Sequence, residues 1–377
     1  MINKNIHYLV LLIVYLVINV LFISKYTMRI TDNPLIILFI CSLYILSVIF
    51  VLFKVNKNTI KISSHHFWIT FIFITTILIV LQYSVDPLSL KVDRWSAIHN
   101  WWNNLICLVY PYSAHTHLGG YGSPFPVWQL IHFPFYLMNN VGLSIFFFTG
   151  LFLYYLAQWK NYTISFIALV LLLLSPSFVY EVIVRSDLIS NFLLVLAIII
   201  FLIIHELNLN RNTLLLSLLF GLLLSTRLSA IIPFIIYYFN EYIHLKLKKQ
   251  IIVFSSILVI FLITFIWLFI WDSDLFFFEY NPFVLQTRQG NTIDFVLFIP
   301  LGIFVSLSWK NNPLLFLYNT GLYLLVFVCI TFIHNMIIQN DFDALFSSKY
   351  DISYFNMGLP FIITALSIIK YPLAELI

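Results

Sequence analysis

Four short stretches of the 377-residue sequence carry the residue types that proton transfer or phosphate binding needs, each beside the end of an apolar run. The first is Lys91-Val92-Asp93-Arg94-Trp95, just past the third run. A carboxylate near the water–lipid boundary is costly unless partnered, and Asp93 could accept a proton from an attacking hydroxyl. Its ordinary role would be to cap a helix beginning at Arg94, since Asp is a favoured N-cap. Further on, His115-Thr116-His117 sets two histidines two positions apart. With Asp93 they could hold a divalent cation such as Mg or Mn, although polar histidines are common in loops. The second stretch, Tyr180-Glu181-Val182-Ile183-Val184-Arg185-Ser186-Asp187, puts acids and a base between two apolar runs. Its plain alternative is a salt-bridged turn of small energetic weight. The third is Asp272-Ser273-Asp274, followed by Glu279 and Arg288. The fourth, Lys349-Tyr350-Asp351-Ile352-Ser353-Tyr354, leads into a run broken by Gly358 and Pro360. Cys41, Cys107 and Cys329 are scattered, with no spacing suited to a metal or a disulfide framework.

These stretches are held by a chain made for lipid. Hydrophobic residues are 62% of it and charged residues 9%, against about 25% charged in a soluble domain. Apolar runs fall at about 7–24, 34–53, 67–83, 141–158, 163–180, 188–206, 213–225, 229–241, 251–271, 293–308, 313–333 and 352–370. Several approach the roughly 20 residues that span a bilayer as helix, and continuous runs without alternation exclude a membrane β-barrel. The expectation is an all-α bundle of about twelve spans. The runs 213–225 and 229–241 read as a tight hairpin bent at Ser225-Thr226-Arg227-Leu228.

Lysine-rich connections at Lys54, Lys57 and Lys61, and at Lys246, Lys248 and Lys249, mark the cytoplasmic side. With an even number of spans both termini lie on that side. The inner segments then hold eleven basic residues against three acids, and the outer ones eight against twelve. Five of the six arginines are outside: Arg29, Arg94, Arg185, Arg227 and Arg288. Guanidinium grips phosphate in a two-pronged way that ammonium cannot, although an arginine at a helix end also snorkels to the interface without further purpose.

The outer loop 84–140 is long enough to carry structure and function. Residues 95–109 have the spacing of an amphipathic helix at the interface, anchored by Trp95, Trp101, Trp102, Tyr110 and Tyr112. Gly119, Gly120, Gly122, Pro124 and Pro126 make a tightly turned segment, and 127–138 reads as a second interfacial helix.

The order of these features resembles the GT-C class of membrane glycosyltransferases, in particular bacterial polyprenyl-phosphate-sugar mannosyltransferase-like members. The likeness covers roughly 67–370: an acid past a helix in the first large outer loop, a mid-chain Arg-x-Asp, a short hairpin tipped by Arg227, and Tyr354 ahead of Leu359-Pro360. It implies a domain over 67–377 that includes loop 84–140, with residues 1–66 forming two additional N-terminal membrane helices. It implies sugar transfer from a polyprenyl-phosphate donor to a glycan or lipid acceptor, on the outer face of a bacterial inner membrane. Asp93 takes the catalytic role in that likeness. Arg227, Arg185, Arg94 and Arg288 take the donor phosphate, and Asp187, His115, His117 and Tyr354 are further candidates for the cavity. A divalent cation remains an open cofactor, and nothing calls for a nucleic-acid partner. Other readings are a surface-polysaccharide polymerase or ligase, a lipid or glycan transporter, and a non-catalytic membrane subunit.

Overall fold

The computed structural model describes residues 4–57, 61–287, 292–309, 312–341, 343, 346 and 350–369. Its regular elements are helical: α1 (Lys4–Thr27), α2 (Pro34–Lys57), α3 (Ser64–Tyr83), α4 (Arg94–Ile106), α5 (Pro126–Ile131), α6 (Phe133–Leu137), α7 (Ser144–Trp159), α8 (Tyr162–Leu173) and α9 (Pro176–Ile183). They continue as α10 (Leu188–Ile204), α11 (Thr213–Leu224), α12 (Ile232–Ile243), α13 (Leu247–Trp271), α14 (Pro282–Thr287), α15 (Thr292–Ser308), α16 (Pro313–Gln339) and α17 (Leu359–Ile368).

Many helix starts are written locally. Ser63, Asn161, Ser175 and Asn312 each accept a backbone N–H of the first turn, and Pro176 and Pro313 follow two of them at positions where a missing N–H costs nothing. Helix α16 ends where Asn340 turns left-handed at φ 48°, a conformation Asn tolerates better than most residues.

A helix overlies each of the twelve expected runs. Among the described residues six are long and apolar enough to cross a membrane: Asn5–Thr27, Pro34–Val55, Ser64–Tyr83, Val141–Trp159, Leu247–Trp271 and Pro313–Gln339. This is the architecture of an integral membrane protein. The run expected at 163–180 is instead a bent pair, α8 and α9 meeting at 73°. Pro176 restarts the helix there because its ring cannot continue the hydrogen-bond ladder. Leu188–Ile204, Thr213–Leu224, Leu228–Ile243 and Ile352–Ile368 are apolar but shorter. Short apolar helices are stable here because other helices shield them. Helix α10 is buried over most of its length, packed on α7, α12 and α17, as a helix apolar on all sides must be. Helices α2 and α3 present most of their surface outward.

Helix α1, one of the two helices expected ahead of the body, packs into that body. The Tyr15 hydroxyl donates to the Leu171 carbonyl at 2.7 Å, the Ser175 hydroxyl to Asn19 at 2.6 Å, and Lys25 Nζ to the Tyr350 carbonyl at 2.8 Å. The expected hairpin is also different: α11 lies along α13 and α12 along α15, rather than against each other. Gly221 allows the first approach, since a Cβ there would stand 2.8 Å from Ile260.

The aromatic anchor expected on α4 is largely turned inward. Trp101, Trp102, Tyr110 and Tyr112 are buried. Trp101 meets Tyr112 and Trp267 edge-on, and Trp102 Nε1 donates to the Gln129 carbonyl at 2.8 Å. A tryptophan with both an apolar surface to bury and a carbonyl to reach gains more from protein than from a lipid headgroup layer. The second interfacial helix is two short ones, α5 and α6, interrupted at His132.

One junction holds the loop to the bundle. Gln82, at the end of α3 and buried, donates to the Val182 carbonyl at 2.8 Å and accepts from Asn140 Nδ2 at 2.9 Å. Gly142 sits against it: a Cβ there would lie 2.7 Å from Arg185 Cβ and 2.8 Å from Gln82 Nε2. Gly142→Val is therefore expected to destabilise the protein by about 1–3 kcal/mol through overpacking. Thermal unfolding in detergent would read this as a lower midpoint, and an unchanged midpoint would mean the junction opens freely.

Candidate functional site

The functional candidates gather at the end of the bundle that carries residues 84–140. Asp93 does stand at the N-cap of α4, but its side chain makes no capping bond. Its Oδ2 instead accepts the Thr116 hydroxyl at 2.7 Å. Thr116 is presented by a tight turn in which its backbone N–H donates to the Gly120 carbonyl at 2.7 Å and the Gly120 N–H to its hydroxyl at 3.0 Å. Gly119 adopts φ 81° there, and a Cβ on Gly120 would come within 3.2 Å of Asp93 Oδ2. The glycines seen in the sequence thus serve to bring the loop backbone up to Asp93.

His117 fixes the turn rather than a metal. Its Nε2 faces the Leu90 carbonyl at 2.9 Å and its Nδ1 the Ser96 hydroxyl at 2.8 Å, so neither ring nitrogen is turned to Asp93. His115 stacks on Tyr121, ring centroids 4.7 Å apart. The metal arrangement considered for Asp93, His115 and His117 is not formed, and no group of three or more His, Cys, Asp or Glu among the described residues is placed to hold a metal ion.

Two ion pairs flank Asp93. Arg94 donates to Asp351 Oδ2 at 2.7 Å and lies over the Tyr354 ring at 5.2 Å. Arg227 donates to Asp187 Oδ2, which also accepts Trp128 Nε1 at 2.6 Å. Burial by itself works to raise the Asp187 carboxyl, but the guanidiniums of Arg227 and then Arg94 hold it below its ordinary value. Asp351 is depressed in the same way against burial, by Arg94 first. Asp187 is the N-cap of α10 without capping it. Glu181 takes over that task from one turn of chain earlier: its Oε2 accepts the Ile189 N–H at 2.9 Å and its Oε1 accepts Asn356 Nδ2 at 2.7 Å. The exchange leaves Asp187 available to Arg227.

Asp93, Arg94 and Asp351 line one polar cleft of about 570 Å³, with Tyr121, Ser123 and Tyr354. A narrower, mostly apolar pocket of about 70 Å³ holds Arg227, Phe327 and Met357, and shares Ser123 and Tyr354 with the cleft. The Gln286 side chain donates to the Ser123 carbonyl at the junction. Arg94 Nη1 and Arg227 Nε are buried without a protein partner. Such donors are ordinarily satisfied by water or by a ligand.

The structure therefore brings together Asp93, Arg94, Arg227, Asp187 and Tyr354. Arg185 stands elsewhere: it donates to the Gln82 carbonyl at 3.3 Å, lies over the Tyr83 ring, and is absent from the lining of both cavities. Its backbone takes the left-handed φ of 55°, which turns the side chain back toward α3. Arg288 lies outside the described residues. Asp351, Thr116, Trp128 and Glu181 were not expected as site residues. Asp351 stood in one of the acid-bearing stretches, but nothing local indicates a partner 257 positions away.

His132, behind Trp128, is fully buried between the Trp128 carbonyl at 2.8 Å and the Ser144 hydroxyl at 3.0 Å. Burial pushes its imidazole down to about 4 from 6.5. The unfolded chain then takes up the proton first, so this contribution to stability is complete above about 6.5 and is lost as pH falls toward about 4. Thermal midpoints are expected to fall across that window in the wild type and to fall less in His132→Gln. An equal fall in both would assign the loss to other groups.

Comparison of this chain with protein-family models, with curated proteins and with solved structures gives no match in any of the three.

Proposed function

We propose that the protein is a membrane glycosyltransferase of GT-C type, moving a sugar from a polyprenyl-phosphate donor to the hydroxyl of a glycan or lipid acceptor. In this reading twelve helices cross the bacterial inner membrane, both termini are cytoplasmic, and the cleft opens outward. The observation that carries it is the convergence of one carboxylate, Asp93, with Arg94 and Arg227 on adjoining cavities that share Tyr354.

The acceptor oxygen attacks the anomeric carbon as the bond from that carbon to the phosphate oxygen breaks. The phosphate leaves with the bonding electrons, and the acceptor proton passes to Asp93. Arg94 and Arg227 each retain a buried N–H donor beyond their carboxylate partners, which suits them to stabilise the charge developing on the phosphate. The paired acids Asp351 and Asp187 keep both guanidiniums in place.

The test is sugar transfer by purified protein in lipid, offered labelled polyprenyl-phosphate sugars, comparing wild type with Asp93→Asn. Transfer that depends on Asp93 supports the reading. Equal transfer by both proteins removes Asp93 from it, and no transfer by the wild type across donor and acceptor panels turns the assignment toward a polymerase, transporter or non-catalytic subunit.

A further inference from the structure

The second large feature lies away from the cleft. Because α11 follows α13 and α12 follows α15, the two arms of the short hairpin are splayed, and an apolar gap of about 390 Å³ lies between them. Its walls include Phe220 and Leu224 from α11, Phe234 and Tyr238 from α12, and Val253 and Ile257 from α13. It extends from the level of Leu224 and Ile231, near the hairpin tip, down to Leu209, Tyr242 and Val253 beside the lysine-rich connection. Leu214, Leu218, Phe254 and Leu258 expose apolar surface on the helices around it, so the surrounding medium is lipid.

The lower mouth has a defined charge. Lys246 is the N-cap of α13, and Lys246 and Lys248 are both exposed. Val253 lies seven residues beyond Lys246 on α13, two helical turns or about 10 Å along the axis. The turn above these lysines is held closed, because Gln250 Nε2 donates to the carbonyls of Tyr242, Ile243 and Leu245 at 3.1–3.2 Å. Lys249 is occupied with Asn210. Two cations thus stand at the foot of an apolar slot whose helix also presents its N-terminal N–H groups there.

We propose that the gap between α11 and α12 is a binding site for one acyl chain of an anionic membrane phospholipid, with the headgroup phosphate at Lys246 and Lys248. An uncharged lipid would fill the slot but leave the lysines unanswered. The site braces the two arms that meet at Arg227, and so joins the lipid on one face of the membrane to the cleft at the other.

The test uses full-length protein equilibrated in vesicles of equal parts phosphatidylcholine and phosphatidylglycerol, then extracted gently for native mass spectrometry of retained lipid. The wild type is expected to enrich phosphatidylglycerol about tenfold, the order that two lysines beside an anionic headgroup supply. Lys246→Gln with Lys248→Gln should abolish the enrichment while a lipid is still retained; glutamine is chosen because acids there would disturb topology. Val253→Trp, which fills the slot, should lose the retained lipid, whereas Phe73→Trp on the outward face of α3 should not. Enrichment that persists in the double glutamine variant overturns the headgroup assignment, and that arm does not depend on Val253→Trp folding. Unchanged retention in a Val253→Trp protein with a wild-type thermal midpoint overturns the slot.

Discussion

Arg227→Met is expected to lower stability by about 3–5 kcal/mol, the usual consequence of removing one partner from a buried ion pair. Both side chains are almost wholly enclosed, Arg227 at 6% and Asp187 at 3% exposure. The loss would come chiefly from Asp187, left charged in the interior with Trp128 Nε1 as its remaining hydrogen-bond donor among the described residues. The hairpin tip should otherwise stay in place, because the Ser225 and Thr226 carbonyls still accept Val127 N–H at 3.1 Å and Phe125 N–H at 3.2 Å. Arg227→Met combined with Asp187→Leu is expected to recover most of the stability, since neither residue then buries a charge. A double-mutant cycle on chemical or thermal unfolding in detergent checks both statements. A single substitution costing less than about 1 kcal/mol would show that water reaches the pair and screens it.

Asp93→Asn is expected to reduce sugar transfer by a factor of about 10²–10⁴, the range for loss of a positioned general base. The substitution is well matched to the structure. Asn keeps an oxygen that can accept the Thr116 hydroxyl bond of 2.7 Å, so the 115–121 turn should hold and thermal stability should stay near that of the wild type. Asp86 supplies the control. It caps the turn Pro87–Ser89 by accepting the Leu88 N–H at 3.0 Å and is not among the residues lining the cleft. Asp86→Asn should therefore transfer sugar at close to the wild-type rate. Comparable losses in the two variants would point to loop stability, and would withdraw the chemical role from Asp93.

The sequence by itself determined the membrane-helical character, most helix positions, and the gathering of acids and arginines at one end. Those features are local: an apolar run of about 20 residues is legible without knowing its neighbours, and so is a capping Ser or Asn before Pro. Asp93 was legible for the same reason, as a carboxylate just past an apolar run. Only the tertiary structure decided what each charge meets. Arg94 finds Asp351 across 257 positions and Arg227 finds Asp187 across 40, whereas Arg185, two residues before Asp187, turns to α3. Helix rotation and packing set those partners, and neither is encoded in the spacing of charges. The inward turn of Trp101 and Trp102 and the splaying of α11 from α12 have the same origin. An aromatic or apolar side chain can be stabilised equally by lipid or by protein, and the neighbour that arrives in the folded bundle chooses between them.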